Sequence, residues 1–102
     1  MTTTPWHERA AALEIDGRAF IGGERVHARS GARFDCISPV DGRKLAEVAR
    51  CDLADVDAAV AAARAAFEDR RWAAKAPAER KRVLIRFADL MLEHRDELAL
   101  LE

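Results

Sequence analysis

Residues 51–72 read CDLADVDAAVAAARAAFEDRRW, and the spacing of their apolar side chains decides the fold. Leu53, Val56, Val60, Ala63 and Phe67 recur as on one side of a helix. Asp52 stands where an N-cap is wanted, and Asp55 and Asp57 suit the positive end of the helix dipole. Arg64, Arg70 and Arg71 gather toward the other end, and the alanines favour helix and close packing. Upstream of Cys51 the apolar residues alternate instead. The chain therefore passes from strands to helices here, and the expected class is α+β.

Working back, KLAEVAR (44–50) predicts a strand, and ARFDCIS (32–38) alternates with Phe34 and Cys36 on one side and Arg33 and Asp35 on the other. Pro39-Val40-Asp41-Gly42 joins them as a turn. In RAFIGGERVHARSG (18–31), Phe20 and Ile21 form one arm and Arg25 and Val26 the other. Gly22-Gly23 between them tolerates positive φ, the signal of a tight hairpin. Two successive antiparallel pairs are expected. Before them, Pro5 to Ile15 predicts a short helix capped by Thr4, with Trp6, Ala10 and Leu13 on one face and Gly17 as its stop.

Working forward, Trp72 to Ala76 is a short connection, and Pro77 opens a second long helix with Glu79 in its first turn. Val83, Phe87, Leu90, His94, Leu98 and Leu101 form one stripe, widened by Leu84 and Met91; Lys81, Arg82, Asp89 and Glu93 lie opposite. Each large side chain on such a stripe contributes about 1.5–3 kcal/mol when fully buried. No Gly, Asn or Pro follows Leu101 to end the helix. The expectation is that polypeptide beyond Glu102 covers the stripe, and that residues 1–102 alone are poorly stable or self-associate.

Composition narrows the partners. The chain has 102 residues, half of them hydrophobic, which suits globular structure. Its 17 Lys and Arg against 18 Asp and Glu leave a formal charge of -1, with no general pull toward nucleic acid or anionic membrane. No apolar run approaches the roughly 20 residues of a membrane span, and MTTTPWHERAAALEIDG lacks the pattern of a secretory signal. Two cysteines without a CxxC fit a reducing, cytoplasmic location.

The candidates for chemistry are few. Cys36 alternates with Phe34 and reads as a buried strand residue; Cys51 precedes a helix start, which favours thiolate somewhat. His7, His27 and His94 lack paired ligand spacing, and His94 falls on the apolar stripe as a hydrogen-bonded core or boundary residue. Arg70, Arg71, Lys75, Arg80, Lys81 and Arg82 surround Trp72, but Asp69 and Glu79 interrupt them. A solvated connection accounts for them better than a nucleic-acid surface. There is no GxGxxG, no Walker pattern and no Ser–His–Asp arrangement. From the residues themselves no catalytic, cofactor-binding or metal-binding position is assigned.

Taken in order, these segments resemble the front end of the NAD(P)-dependent aldehyde dehydrogenase superfamily. FIGGERV is similar to its first strand pair, FDCISPVDGRKLAEVA to its second, DVDAAVAAARAAF to its first helix, and RKRVLIRFADLMLEHRDELALLE to the next. Trp72 stands where members often carry tryptophan. The resemblance spans about residues 20–102 in one register. The leader PWHERAAALEIDGRAFIGGE resembles, more narrowly, the gamma-glutamyl-gamma-aminobutyraldehyde dehydrogenases of putrescine breakdown. Gly22 and Ser38 depart from the asparagines common at those places. The carbonyls of Cys36 and Ile37 match positions that help hold a monovalent cation in some members.

The resemblance implies that residues 1–102 are the N-terminal portion of a Rossmann-like cofactor-binding domain, incomplete at the C-terminal end. The complete enzyme would be an oligomer that oxidises an aldehyde to a carboxylic acid with NAD or NADP. In it a cysteine thiolate attacks the aldehyde carbon and a glutamate activates water. Those residues and the glycine-rich cofactor loop lie in segments that match no part of this chain, and neither Cys36 nor Cys51 matches the nucleophile. The alternative reading from the residues is a free-standing helical interaction module whose terminal stripe docks on a partner.

Overall fold

The computed structural model describes residues 5–102. In chain order the elements are α1 (Trp6–Ala12), β1 (Ala19–Ile21), β2 (Glu24–Val26), β3 (Arg33–Ile37), β4 (Lys44–Ala49), α2 (Leu53–Glu68), α3 (Pro77–Glu93) and α4 (Arg95–Leu101). This is the expected α+β class. The elements form two compact units, one of Ile15–Ala73 and one of the two chain ends, up to Glu14 and from Ala74.

In the unit of Ile15–Ala73, β1 and β2 pair antiparallel with Ile21 opposite Glu24. Gly22 and Gly23 make the turn at φ of 63° and 82°. Both values are left-handed, as a two-residue hairpin turn with the strands' own twist requires. β3 and β4 pair from Arg33–Ala49 to Cys36–Ala46, with an irregularity between Cys36 and Ile37. The Ser38 N–H donates to the Arg43 carbonyl at 2.8 Å and closes the loop through Pro39–Gly42. The Gly17 carbonyl accepts the Ala49 N–H at 2.7 Å. Residue 17 thus lies along β4, and a Cβ there would stand 1.8 Å from the Glu47 carbonyl oxygen.

α2 begins as the sequence demands. The Asp52 carboxylate accepts the Ala54 N–H at 3.2 Å, and Asp55 returns a bond to the Asp52 N–H at 3.1 Å, a reciprocal capping box. The helix ends at Glu68, so Arg70 and Arg71 lie beyond its last turn instead of within it. Arg70 takes φ of 61°, in the left-handed region, and its N–H donates to the Phe67 carbonyl at 3.2 Å.

In the other unit, α1 packs on α4. Arg9 lies over the Trp6 ring at 4.7 Å and reaches the Asp96 carboxylate at 3.4 Å. α1 is shorter than expected. It stops at Ala12, where Leu13 turns extended (φ -71°, ψ 125°), not at Gly17. The residues that would prolong it run instead toward the edge of β4. The expected Thr4 cap lies outside the described residues.

Pro77 stands at the first position of α3, as expected. The single helix expected through residue 101 is divided at His94, whose φ of -102° and ψ of 19° leave the helical region. The His94 N–H still donates to the Leu90 carbonyl and the His94 carbonyl accepts the Leu98 N–H, so these two bonds carry the chain through the bend. Asp96 and Glu97 then favour a new helix start. The bend divides the stripe.

The enclosed core is small. Among the described residues Ala28, 5% exposed, is the buried hydrophobic side chain and Asp55, 3% exposed, the buried charge. The accessible surface is 8670 Å². Two separate folded units of half the chain mass each would expose only roughly 6900 Å².

Candidate functional site

The side chains with chemical potential are dispersed. Cys36 in β3 is half-buried and Cys51 is exposed, both as free thiols. The expected burial of Cys36 is only partial, because Phe34 and Ile37 beside it remain about half exposed (49% each). His7 and His27 are exposed and belong to different units. His94 is exposed too, with Nδ1 3.4 Å from a Glu97 oxygen. The expectation of a core or boundary histidine is not met, and the stripe neighbours Met91 and Leu98 are exposed as well. Among the described residues no group of three His, Cys, Asp or Glu side chains is placed to hold a metal ion. Arg70, Arg71 and Trp72 belong to one unit, and Lys75, Arg80, Lys81 and Arg82 to the other.

The densest polar geometry is a shallow cleft of about 260 Å³ between the segment at residues 15–18 and the β3–β4 pair, with His27 at its rim. Asp16 takes Arg18 at 2.8 Å and Arg25 at 3.1 Å. The Arg18 hydrogen bonds hold its carboxyl well below the usual range. Glu47 takes Lys44 at 2.9 Å and Arg33 at 3.1 Å, and Lys44 chiefly, then Arg33, lower its pKa. The charges lining this cleft are paired with one another. Such pairing leaves neither Arg18 nor Arg33 free to grip an anion.

Among the described residues, Asp55 is the one side chain that joins distant elements from a buried position. One oxygen accepts the Asp52 N–H and the other the Arg29 N–H, each at 3.1 Å. These backbone bonds, Asp52 first, lower its pKa. With both oxygens occupied by amides, it is a clasp and not a general base. The sequence reading placed Asp55 only in the helix dipole; the Asp-x-x-Asp spacing of a capping box was the signal available.

A dinucleotide would need a strand-to-helix turn with glycines and open amides. The β4–α2 connection is the strand-to-helix turn of this chain, and it fits poorly. It reads Arg50-Cys51-Asp52, and the Asp52 carboxylate occupies the helix N-terminus. The Gly22-Gly23 pair is a hairpin turn. No helix of the described residues is long and apolar enough to cross a membrane.

Comparison with known proteins gives a consistent relationship. The aldehyde dehydrogenase family model matches residues 26–102. An aminoacetaldehyde dehydrogenase of Pseudomonas aeruginosa is 50% identical over 93 residues, covering 91% of this chain and 19% of the relative. The crystal structure of gamma-glutamyl-gamma-aminobutyraldehyde dehydrogenase from Burkholderia cenocepacia superposes with a TM-score of 0.90 at 59% identity, over 94% of this chain and 20% of that one. Indole-3-acetaldehyde dehydrogenase of P. syringae, solved with NAD+, gives 0.88 at 57% identity, over 94% and 19%. The chain spans about a fifth of the length of these relatives. A match in one register over residues 26–102, on a backbone that superposes this well, has one meaning: the chain belongs to the aldehyde dehydrogenase family.

Proposed function

We propose that residues 1–102 are the N-terminal part of a cofactor-binding domain in an aldehyde dehydrogenase, supplying two strand pairs and supporting helices but no catalytic residue. The complete enzyme oxidises an aldehyde to a carboxylic acid, with NAD or NADP accepting the hydride when bound. Its substrate on this reading is gamma-glutamyl-gamma-aminobutyraldehyde or a similar aliphatic aldehyde carrying nitrogen, placing it in putrescine breakdown. The observation that carries the reading is the 59% identity to the Burkholderia cenocepacia enzyme across 94% of the chain. The proposed setting is cytoplasmic, and the partners are the remainder of the dehydrogenase polypeptide, the aldehyde and further copies of the complete enzyme. Nucleic acid and membrane are not among them.

The physical role follows from the exposed faces. Val83, Phe87 and Leu98 are 44–61% exposed, more than a finished core would leave. Such faces are complete only when covered. The chain itself gives no dinucleotide cradle at its strand-to-helix turn. Purified residues 1–102 supplied with NAD+ and a small aldehyde are expected to form no NADH above background; clear turnover contradicts the proposal.

A further inference from the structure

Among the described residues two arginines are half-buried, Arg9 and Arg80, and the others are exposed. Arg9 has the Asp96 carboxylate at 3.4 Å and the Trp6 ring beneath it. Arg80 enters none of the ion pairs of the described residues. Its Nε–H is buried and has no acceptor. A donor shut off from water without a partner is costly, and more so on a charged group. Arg80 is also the fourth residue of α3, where a cation opposes the helix dipole. Its neighbours Lys81 and Arg82 avoid the first cost by facing water. Nothing within the helix therefore accounts for the placement of Arg80.

We propose, resting on the reading of residues 1–102 as part of a dehydrogenase, that Arg80 anchors this segment to the remainder of the polypeptide by taking a carboxylate of that remainder. The chain spans about a fifth of the length of its relatives, so most of the polypeptide that could supply an acceptor lies outside it. Val83, Leu84 and Phe87 follow Arg80 at helical spacing and share its side of α3. All three are 47–61% exposed. The donor that lacks an acceptor thus belongs to the face that lacks a cover, and one docking event meets both needs. Nε–H and one Nη–H of a guanidinium point the same way and match the two oxygens of a carboxylate. A carboxylate also balances the charge that the helix dipole disfavours; a carbonyl would satisfy the donor alone. Covered by the same contact, the pair is shielded from the solvent that weakens surface ion pairs.

Residues 1–102 joined in register to the remainder of the Burkholderia cenocepacia enzyme supply the test, with thermal midpoints read at one scan rate. Arg80→Gln is expected to lower the midpoint by about 3–6 °C. Arg80→Lys keeps the charge but not the fork, and is expected to lose about half as much. Arg82→Gln, an exposed cation of the same helix end, should stay within about one degree of the parent. Should Arg80→Gln fail to fold, Arg80→Lys set against Arg82→Lys decides in the same way. An Arg80→Gln midpoint within a degree of the parent overturns the proposal, as does an equal fall in Arg82→Gln. A higher midpoint in Arg80→Gln than in Arg80→Lys also overturns it, because a neutral acceptor would then be the partner. A folded fusion without turnover would remove the enzyme reading while the midpoints still decide this one. Turnover with unmoved midpoints would remove this one alone.

Discussion

The Asp55 carboxylate accepts the Arg29 backbone N–H at 3.1 Å, across 26 residues of sequence, while it also caps its own helix. One side chain thereby ties the segment after β2 to the start of α2. Asp55→Ala would leave the Asp52 and Arg29 amides without these acceptors. The expected result is a fall of about 5–10 °C in the thermal midpoint of the unit of Ile15–Ala73. A midpoint within a degree or two of the parent would show that the clasp carries little.

The same carboxylate sets a pH dependence. Its pKa in the folded chain lies below the ordinary 3.8, so the folded state resists its protonation. The stability it contributes is complete above about pH 4 and is lost as pH falls through the folded value. Urea melts between pH 2 and 6 are expected to weaken toward acid. Asp55→Asn should flatten part of that slope; an unchanged slope would assign it to Asp16, Glu47 and the other paired carboxylates.

Gly17 has no room for a side chain. The Glu47 carbonyl is fixed in β4, so a Cβ at 1.8 Å can be accommodated only by moving backbone. Gly17→Ala is expected to destabilise by about 1–3 kcal/mol, at the upper end of that range. A chemical denaturation curve superimposable on the parent's would refute the close approach.

Arg70 is a non-glycine residue at φ of 61°. Left-handed backbone costs an L-residue about 1–2 kcal/mol, and glycine avoids most of that. Arg70→Gly should therefore stabilise by about 1 kcal/mol, visible as a higher urea midpoint with unchanged slope. A lower midpoint would mean that the arginine side chain makes a contact worth more than the backbone relief.

Much of this fold was legible because local chemistry decides it. Asp52 caps α2, Pro77 starts α3, and Gly22-Gly23 can hardly do anything but turn. What was not legible depends on residues far apart in sequence. Gly17 reads as a helix stop, and only its pairing with Ala49 shows that it is an edge contact. His94 fits the stripe by spacing, yet it is exposed, because spacing does not say whether a stripe is covered. Cys36 alternates correctly but remains half-buried, since alternation says which side a residue faces and not whether that side is covered. The clasp at Asp55 was not legible, because Arg29 contributes only its backbone.

The most direct test of the account is to let this chain replace its counterpart. Residues 1–102 are fused in register to the remainder of the Burkholderia cenocepacia gamma-glutamyl-gamma-aminobutyraldehyde dehydrogenase, in place of the matching fifth. NADH formation from NAD+ and aldehyde is then measured beside the parent and beside that remainder alone. The account predicts activity of the parent's order in the fusion and none in the remainder. A folded, soluble fusion without turnover would contradict it.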